Sequence, residues 1–277
     1  MLFIANLFKR SKSKSDSKAP VSTSKAPPPN KQNEKVAARK GEIGEYKIDI
    51  QLDQLPKDHL HLSDLLIKNE KALTGYSQID HVVICPFGIF VIETKNYQGI
   101  IYEGKKFWSV NGKFKMMNPF IQNYGHIKAL ESTIDKDYSD LFISMVSFTK
   151  RSTFKVDLSY RKVQSNQLIV YDVELSDYIH RKISVLKLVH KVPLLNAEEA
   201  AKIFESFSKA NILDPAIRKL HIERAKNRSK ERAQTSLSCS VCKKPVSEKV
   251  KNFCLTNKRF KGKIYCYDHQ KVINLEN

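Results

Sequence analysis

Residues 78–95 read Gln78-Ile-Asp-His-Val-Val-Ile84, then Cys85-Pro-Phe-Gly88, then Ile89-Phe-Val-Ile-Glu-Thr-Lys95. Two runs rich in β-branched residues flank a short loop that contains proline and glycine, and this pattern predicts a β-hairpin. A four-residue loop places Ile84 opposite Ile89, and the same register places Asp80 opposite Glu93. Because side chains alternate between the two faces of a strand, Asp80 should share a face with Glu93 and Lys95.

The two acids of this hairpin should repel each other, because directly opposed β-carbons lie about 5 Å apart. A cation between the carboxylates, or Lys95 beside them, would compensate. Two carboxylates on a rigid sheet are also suitable ligands for a catalytic divalent metal. In the alternative interpretation both acids lie at exposed strand ends and are simply solvated. Spacing alone leaves these two interpretations open.

The segments around the hairpin mix strands and helices without a strict βαβ repeat, which predicts an α/β fold with a mixed sheet flanked by helices. Residues 118–119, Asn-Pro, should begin a helix whose buried stripe is Phe120, Tyr124, Ile127 and Ile134. Gln122 and His126 lie on another face of it, and we expect solvent around His126. The other predicted elements are a helix from residue 37, strands at 62–67 and 167–173, two short strands in 99–115 with Trp108 in a core, and helices at 175–182 and 196–209.

The charge of the chain lies at its two ends. The 277 residues carry a net charge of +19, with ten basic and two acidic residues in 1–40 and sixteen basic and six acidic residues in 214–277. The middle of the chain is therefore nearly neutral. Such a charge argues against an enzyme of small neutral metabolites and indicates a polyanionic partner, with nucleic acid ahead of an anionic membrane surface.

The first 38 residues are rich in Ser, Lys and Pro, which predicts a disordered basic tail. The apolar residues at its start lack a preceding basic segment and a cleavage site, so they do not form a signal peptide. They are interpreted either as a frayed terminus or as a weak contact of residues 1–10 with a membrane surface. No apolar run is long enough to span a bilayer.

Four of the five cysteines lie near the C-terminus, which favours metal binding in a reducing, cytoplasmic compartment over disulfides. Cys239-Ser-Val-Cys242 and Cys266-Tyr-Asp-His269 have the spacing of a Cys₃His site for a structural, tetrahedral Zn²⁺. Cys254 is either a core residue or a substitute ligand. Basic residues alternate with aromatic residues around these ligands, a composition that suits either nucleic-acid contacts or an ordinary small core.

Four segments together resemble the NERD, or nuclease-related, domain over residues 39–150. They are Gly41-Glu-Ile-Gly-Glu45, Ile79-Asp-His-Val-Val, Gly88-Ile-Phe-Val-Ile-Glu-Thr-Lys-Asn-Tyr-Gln-Gly99 and Asn118-Pro-Phe-Ile-Gln122. NERD domains are similar to the PD-(D/E)xK nuclease superfamily, so the resemblance implies a restriction-endonuclease-like fold and Mg²⁺- or Mn²⁺-dependent hydrolysis of phosphodiester bonds. The superfamily's proline before the aspartate is absent here, since Ile79 occupies that position.

Carried over by position, the resemblance implies a role for each matching residue. Asp80 and Glu93, with the backbone carbonyl of Thr94, would hold Mg²⁺, and Lys95 would orient the attacking water and offset charge on the phosphate. Gln122 would be the helix glutamine of the site, and the acid of the first helix would be Glu45, with Glu42 as the alternative.

We therefore expect a metal-dependent DNase-like enzyme with a basic zinc module that binds nucleic acid. A catalytically silent nucleic-acid-binding adaptor and a membrane-surface protein are the alternatives. The expected organisation is a tail over 1–38, a nuclease-like domain over 39–213, a basic linker helix over 214–236 and a zinc-binding module over 237–277.

Overall fold

The computed structural model describes residues 31–235 and 238–273. The chain divides into two units, with the boundary between Arg39 and Lys40. The membrane contact expected for residues 1–10, and most of the expected tail, lie outside the described residues. Within those residues, no helix is both long and apolar enough to cross a membrane.

Seven α-helices and nine β-strands make up the described part of the chain. The helices are α1 Lys31–Leu52, α2 Pro119–Glu131, α3 Leu175–His190, α4 Ala197–Ala210, α5 Pro215–Thr235, α6 Glu248–Thr256 and α7 Tyr267–Val272. The strands are β1 Leu60–Lys68, β2 Tyr76–Cys85, β3 Gly88–Lys95, β4 Gly99–Tyr102, β5 Phe107–Val110, β6 Phe114–Met117, β7 Phe142–Phe148, β8 Ser152–Lys155 and β9 Gln167–Tyr171.

The central sheet has five strands in the order β1-β2-β3-β7-β9. The first three strands are antiparallel, whereas β3, β7 and β9 run parallel to one another. The β2–β3 hairpin has the register that the sequence predicts, from Ile84 opposite Ile89 to His81 opposite Ile92. Helices α1 and α3 pack on one face of this sheet, and α2 and α4 pack on the other. The predicted mixed sheet flanked by helices is thus confirmed.

A second sheet of four strands, in the order β6-β5-β4-β8, follows the hairpin. The sequence predicted two strands in residues 99–115, but β4, β5 and β6 occupy this region and continue to Met117. Trp108 is fully buried between this sheet, Phe120 of α2 and Val146 of β7, as expected. The buried stripe predicted for α2 is wrong at Tyr124, whose side chain is 61% exposed, because Asn123 and His126 face the sheet instead.

The β1–β2 ladder is interrupted at one point. Ser63 pairs with His81 and Leu65 pairs with Ile79, but no pair forms between Asp64 and Asp80. Asp64 has a φ of +52°, in the left-handed region that an aspartate tolerates better than most residues. Ile79 and Val82 both face the core of the α2 side, so the alternation of β2 shifts by one residue at this point. The interruption takes Asp80 out of the regular pleat.

Helix α5 holds this distorted backbone in place through Arg218. The guanidinium donates to the Asp64 carboxylate at 2.6 Å and to the Asp64 carbonyl at 2.7 Å. It also donates to the Ile212 carbonyl at 2.8 Å and to Oδ1 of Asn211 at 3.0 Å. The start of the basic helix is therefore fixed to the edge of the central sheet.

We predict that Arg218→Met lowers the free energy of unfolding by about 1.5–3 kcal/mol, the range for hydrogen bonds to charged groups. Arg181→Met is the matched control, because its pair with Asp177 is more than half exposed on both sides and should contribute under about 0.5 kcal/mol. Urea unfolding of both variants measures the difference, and equal losses would mean that the Arg218 contacts do not stabilise the fold.

Candidate active site and zinc module

Asp80 is held at the end of the hairpin ladder. The last regular pair of β2 and β3 is His81 with Ile92. At the next position, the Asp80 side chain forms the hydrogen bond to β3. Its Oδ2 accepts a hydrogen bond of 2.7 Å from the backbone N–H of Thr94. A side chain here replaces a backbone carbonyl, which places the carboxylate beside the next residues of β3.

Glu93 is the buried centre of the site, with only 3% of its surface exposed. Its Oε1 accepts hydrogen bonds from the ammonium of Lys95 and from Nε2 of Gln122, the latter at 2.8 Å. The ammonium also donates to Oε1 of Gln122 at 3.0 Å. These three side chains, two from β3 and one from α2, thus form a closed hydrogen-bonded ring.

His126 of α2 reaches the other oxygen of Glu93. Its Nδ1 lies 3.3 Å from Oε2 without forming a hydrogen bond, and both atoms are buried with no hydrogen-bond partner in the described structure. Burial lowers the pKa of His126, so the ring is neutral and the contact is not an ion pair. The solvent exposure expected for His126 is wrong, although its spacing of four residues from Gln122 is the signal that placed it near the site.

The electrostatics of the site call for additional positive charge. Burial raises the pKa of Asp80 well above its ordinary range, and the negative charge of Glu93 raises it further. The hydrogen bond from the Thr94 N–H lowers this pKa, but by less. Burial lowers the pKa of Lys95, but the neighbouring Glu93 raises it more, so Lys95 stays charged. One ammonium therefore faces two acids, the buried Glu93 and the half-buried Asp80. Oxygen ligands, excess negative charge and the unpartnered Oε2 of Glu93 all fit a hard divalent cation.

Helix α1 brings Glu45, and not Glu42, toward these residues. Glu45 is half-buried and lines the same cleft as Asp80, Gln122 and His126, whereas Glu42 is exposed to solvent. Burial raises the pKa of Glu45, and the charges of Asp64 and Glu93 raise it further. Of these two acids, Glu45 lines the cleft and Glu42 does not.

An open cleft of about 1120 Å³ leads to the site. One side is α2, with Ile121, Tyr124 and Lys128, and the other is the segment between β1 and β2. His221 of α5 also lines the cleft and contacts Oγ1 of Thr74 at 3.0 Å. The cleft gives a large substrate a route to Asp80 and Gln122.

The four expected zinc ligands lie together in the C-terminal module. The ligand atoms of Cys239, Cys242, Cys266 and His269 are all within 4.8 Å of one another, and among the residues that the structure describes no other such cluster of three or more ligands occurs. The sulfurs of Cys242 and Cys266 are 3.7 Å apart. A tetrahedral zinc with Zn–S bonds of 2.3 Å would separate them by about 3.8 Å, so the geometry is compatible with zinc.

Cys254 is a core residue of this module. It is fully buried with Phe260 and Tyr265, and its thiol contacts the backbone N–H and carbonyl of Tyr265, each at 3.4 Å. Four aromatic residues lie among the basic residues around the ligands, and two of them, Phe260 and Tyr265, also belong to this core. The other two, Phe253 and Tyr267, are 51% and 68% exposed, so they are available to a partner.

We predict that Asp80→Asn stabilises the protein at pH 8 when no Mg²⁺ or Mn²⁺ is added. The variant keeps an acceptor for the Thr94 N–H and removes a charge whose burial raises its pKa. Because the folded-state pKa lies above the unfolded one, wild type loses stability as the pH rises through the folded-state pKa, and the variant does not. A gain of roughly 2–4 °C in melting temperature corresponds to about 1 kcal/mol.

Below about pH 3, where Asp80 is protonated in both states, the two proteins should melt together. Asp140→Asn, a change at an exposed aspartate, is the control and should show no such dependence on pH. A variant that is less stable than wild type at pH 8 would contradict the repulsion between Asp80 and Glu93.

Comparison with known proteins identifies the domain that contains these residues. The family model of the nuclease-related domain, NERD, matches residues 40–149, which include Glu45, Asp80, Glu93, Lys95 and Gln122. The chain is similar to an uncharacterized protein of Bacillus anthracis, with 33% identity over 195 residues that cover 68% of this chain and 85% of the relative. No solved structure matches the chain. The chain belongs to the family of nuclease-related domain proteins.

Proposed function

We propose that this protein is a metal-dependent nuclease that hydrolyses phosphodiester bonds in DNA. Membership of the nuclease-related family indicates nucleic acid as substrate or partner. The observation that carries the proposal is the buried Glu93, hydrogen-bonded to Lys95 and Gln122, next to an Asp80 carboxylate that accepts from the Thr94 N–H. Acids and one lysine with these contacts are suited to hydrolysis, because they can hold a cation and a water next to a phosphate.

Asp80, Glu93 and the backbone carbonyl of Thr94 are the proposed ligands of Mg²⁺ or Mn²⁺. The unpartnered Oε2 of Glu93 and the raised pKa of Asp80 support this choice. When bound, such an ion polarises the scissile phosphate and lowers the pKa of the attacking water. Glu45 lines the cleft beside Asp80 and can orient a water molecule from the side of α1.

Lys95 stabilises the negative charge that builds on the phosphate during hydrolysis. Its ammonium is held by Glu93 and Gln122, so it needs little reorganisation to face a bound phosphate. Gln122 positions the ammonium through its Oε1 and can donate to the water or the DNA backbone through its Nε2.

The C-terminal module is proposed to carry a structural Zn²⁺ and to bind nucleic acid. Four protein ligands leave no open coordination position on the metal, which is typical of a structural zinc site. The hydrophobic core of the module is too small to hold it folded without additional stabilisation such as a metal. Basic residues on its surface, including Lys243, Lys258 and Arg259, suit phosphate contacts. We propose the nuclease-like domain over 39–213, the basic helix over 214–236 and the module over 237–277, in a cytoplasmic protein.

The function is tested by incubating plasmid and linear DNA with the protein and Mg²⁺ or Mn²⁺. Lys95→Ala should slow cleavage by about 100-fold or more, because it removes a preorganised donor from the reacting phosphate. Lys105→Ala, which removes an exposed lysine outside the cleft, should cleave like wild type. Equal cleavage by wild type and Lys95→Ala would contradict the proposed site. Binding of DNA without cleavage in either metal would favour the silent adaptor.

Metal analysis of the purified chain tests the zinc module. We expect about one zinc per chain, and loss of zinc in Cys266→Ser. Cys254→Ala should retain the metal, because Cys254 lies in the module core and outside the ligand cluster. A chain without zinc, or a loss of zinc in Cys254→Ala as complete as in Cys266→Ser, would contradict the assignment.

A further inference from the structure

A second cavity lies at the carboxyl ends of the parallel strands β3 and β7. It has a volume of about 430 Å³, and its lining includes Lys47 of α1, Thr94 of β3, Ser147 of β7 and Arg151. The carboxyl ends of parallel strands are where open α/β sheets bind their ligands. We propose that this cavity binds a phosphate group of the nucleic-acid strand adjacent to the phosphate that is cleaved, a role that rests on the proposed nuclease function.

Two hydroxyl groups in the cavity lack a partner. Thr94 and Ser147 are register neighbours on β3 and β7, so their side chains point to the same face of the sheet. Ser147 is fully buried, and the hydroxyl oxygens of both residues are buried without a hydrogen bond in the described structure. Leaving such a group unpaired costs about 1–3 kcal/mol. A ligand with acceptor oxygens, such as a phosphate, would satisfy both groups.

The charge of the cavity favours an anion. Lys47 and Arg151 are exposed cations at its edge, and the Arg151 guanidinium is oriented by a hydrogen bond of 3.1 Å to Oδ1 of Asn96. The one acid of the lining, Asp172, has its Oδ1 occupied by the backbone N–H groups of Lys150 and Val173, at 2.9 and 3.0 Å. Arginine and lysine with hydroxyl donors are the groups that bind phosphate in proteins.

Thr94 connects this cavity to the catalytic residues. Its backbone N–H bonds the Asp80 carboxylate, while its hydroxyl lines the cavity. Phosphates recur at every nucleotide of a strand, so a strand with one phosphate at Asp80 and Lys95 carries others on either side of it. The cavity would thus set the position of the strand relative to the cleaved bond.

The test is equilibrium binding of two short oligonucleotides of one sequence, with and without a 5′-phosphate, to the full chain without added Mg²⁺ or Mn²⁺. Arg151→Gln and Lys47→Gln should each weaken binding at least about tenfold, the loss of one charge-assisted contact. Lys150→Gln is the matched control, because it removes an equal charge from the neighbouring exposed residue outside the cavity lining. Ser147→Ala should weaken binding by about fivefold while leaving the unliganded protein as stable as wild type or more stable.

The two oligonucleotides distinguish the source of the phosphate. If the two variants lose affinity only for the 5′-phosphorylated oligonucleotide, the cavity binds a terminal phosphate. If they lose equal affinity for both oligonucleotides, the cavity binds an internal phosphate, and either result supports the proposal. Wild-type affinity in both cavity variants, or an equal loss in Lys150→Gln, would overturn it. Because no cleavage occurs under these conditions, this result is independent of whether the protein proves to be a nuclease.

Discussion

The close approach of two acids on the β2–β3 hairpin, the buried Glu93 and the half-buried Asp80, is the constraint on which the site depends. The register of the hairpin brings Asp80 toward Glu93, and burial makes their mutual repulsion costly. The surrounding groups reduce that cost: the Thr94 N–H bonds one carboxylate, and Lys95 with Gln122 bonds the other. One oxygen of Glu93 still lacks a partner. The remaining repulsion between the two acids lowers the stability of the folded protein. A divalent cation bound to both carboxylates would reduce this repulsion.

Strand β3 contributes to both faces of the central sheet over three successive residues. Glu93 and Lys95 point toward α2, where Gln122 meets them, while the Thr94 hydroxyl points to the α1 side. The parallel neighbour β7 adds Ser147 on the α1 side. In the proposed nuclease, this one strand would therefore contact both the cleaved phosphate and its neighbour. On the opposite side of Asp80, the distorted strand β1 and Arg218 leave room for the carboxylate to leave the regular pleat.

Local patterns in the sequence predicted the parts of the structure that local chemistry determines. Pro86 and Gly88 marked the hairpin, Asn118 and Pro119 marked the start of α2, and the ligand spacing marked the zinc module. Tertiary packing determined the rest. Strand β7 is a buried run without alternation, so neither it nor Ser147 was recognised. His126 was placed on the correct helix, but only its packing against β3 shows that it is buried, and the distortion at Asp64 has no sequence signal that we could identify.

Crystals of the full chain grown with Mn²⁺ would test the central claim most directly, through the anomalous scattering of the metal. We predict a manganese peak about 2.0–2.2 Å from carboxylate oxygens of both Asp80 and Glu93, and its loss in Asp80→Asn. Manganese absent from these two carboxylates at a concentration that supports cleavage, or a peak that persists there in Asp80→Asn, would contradict it.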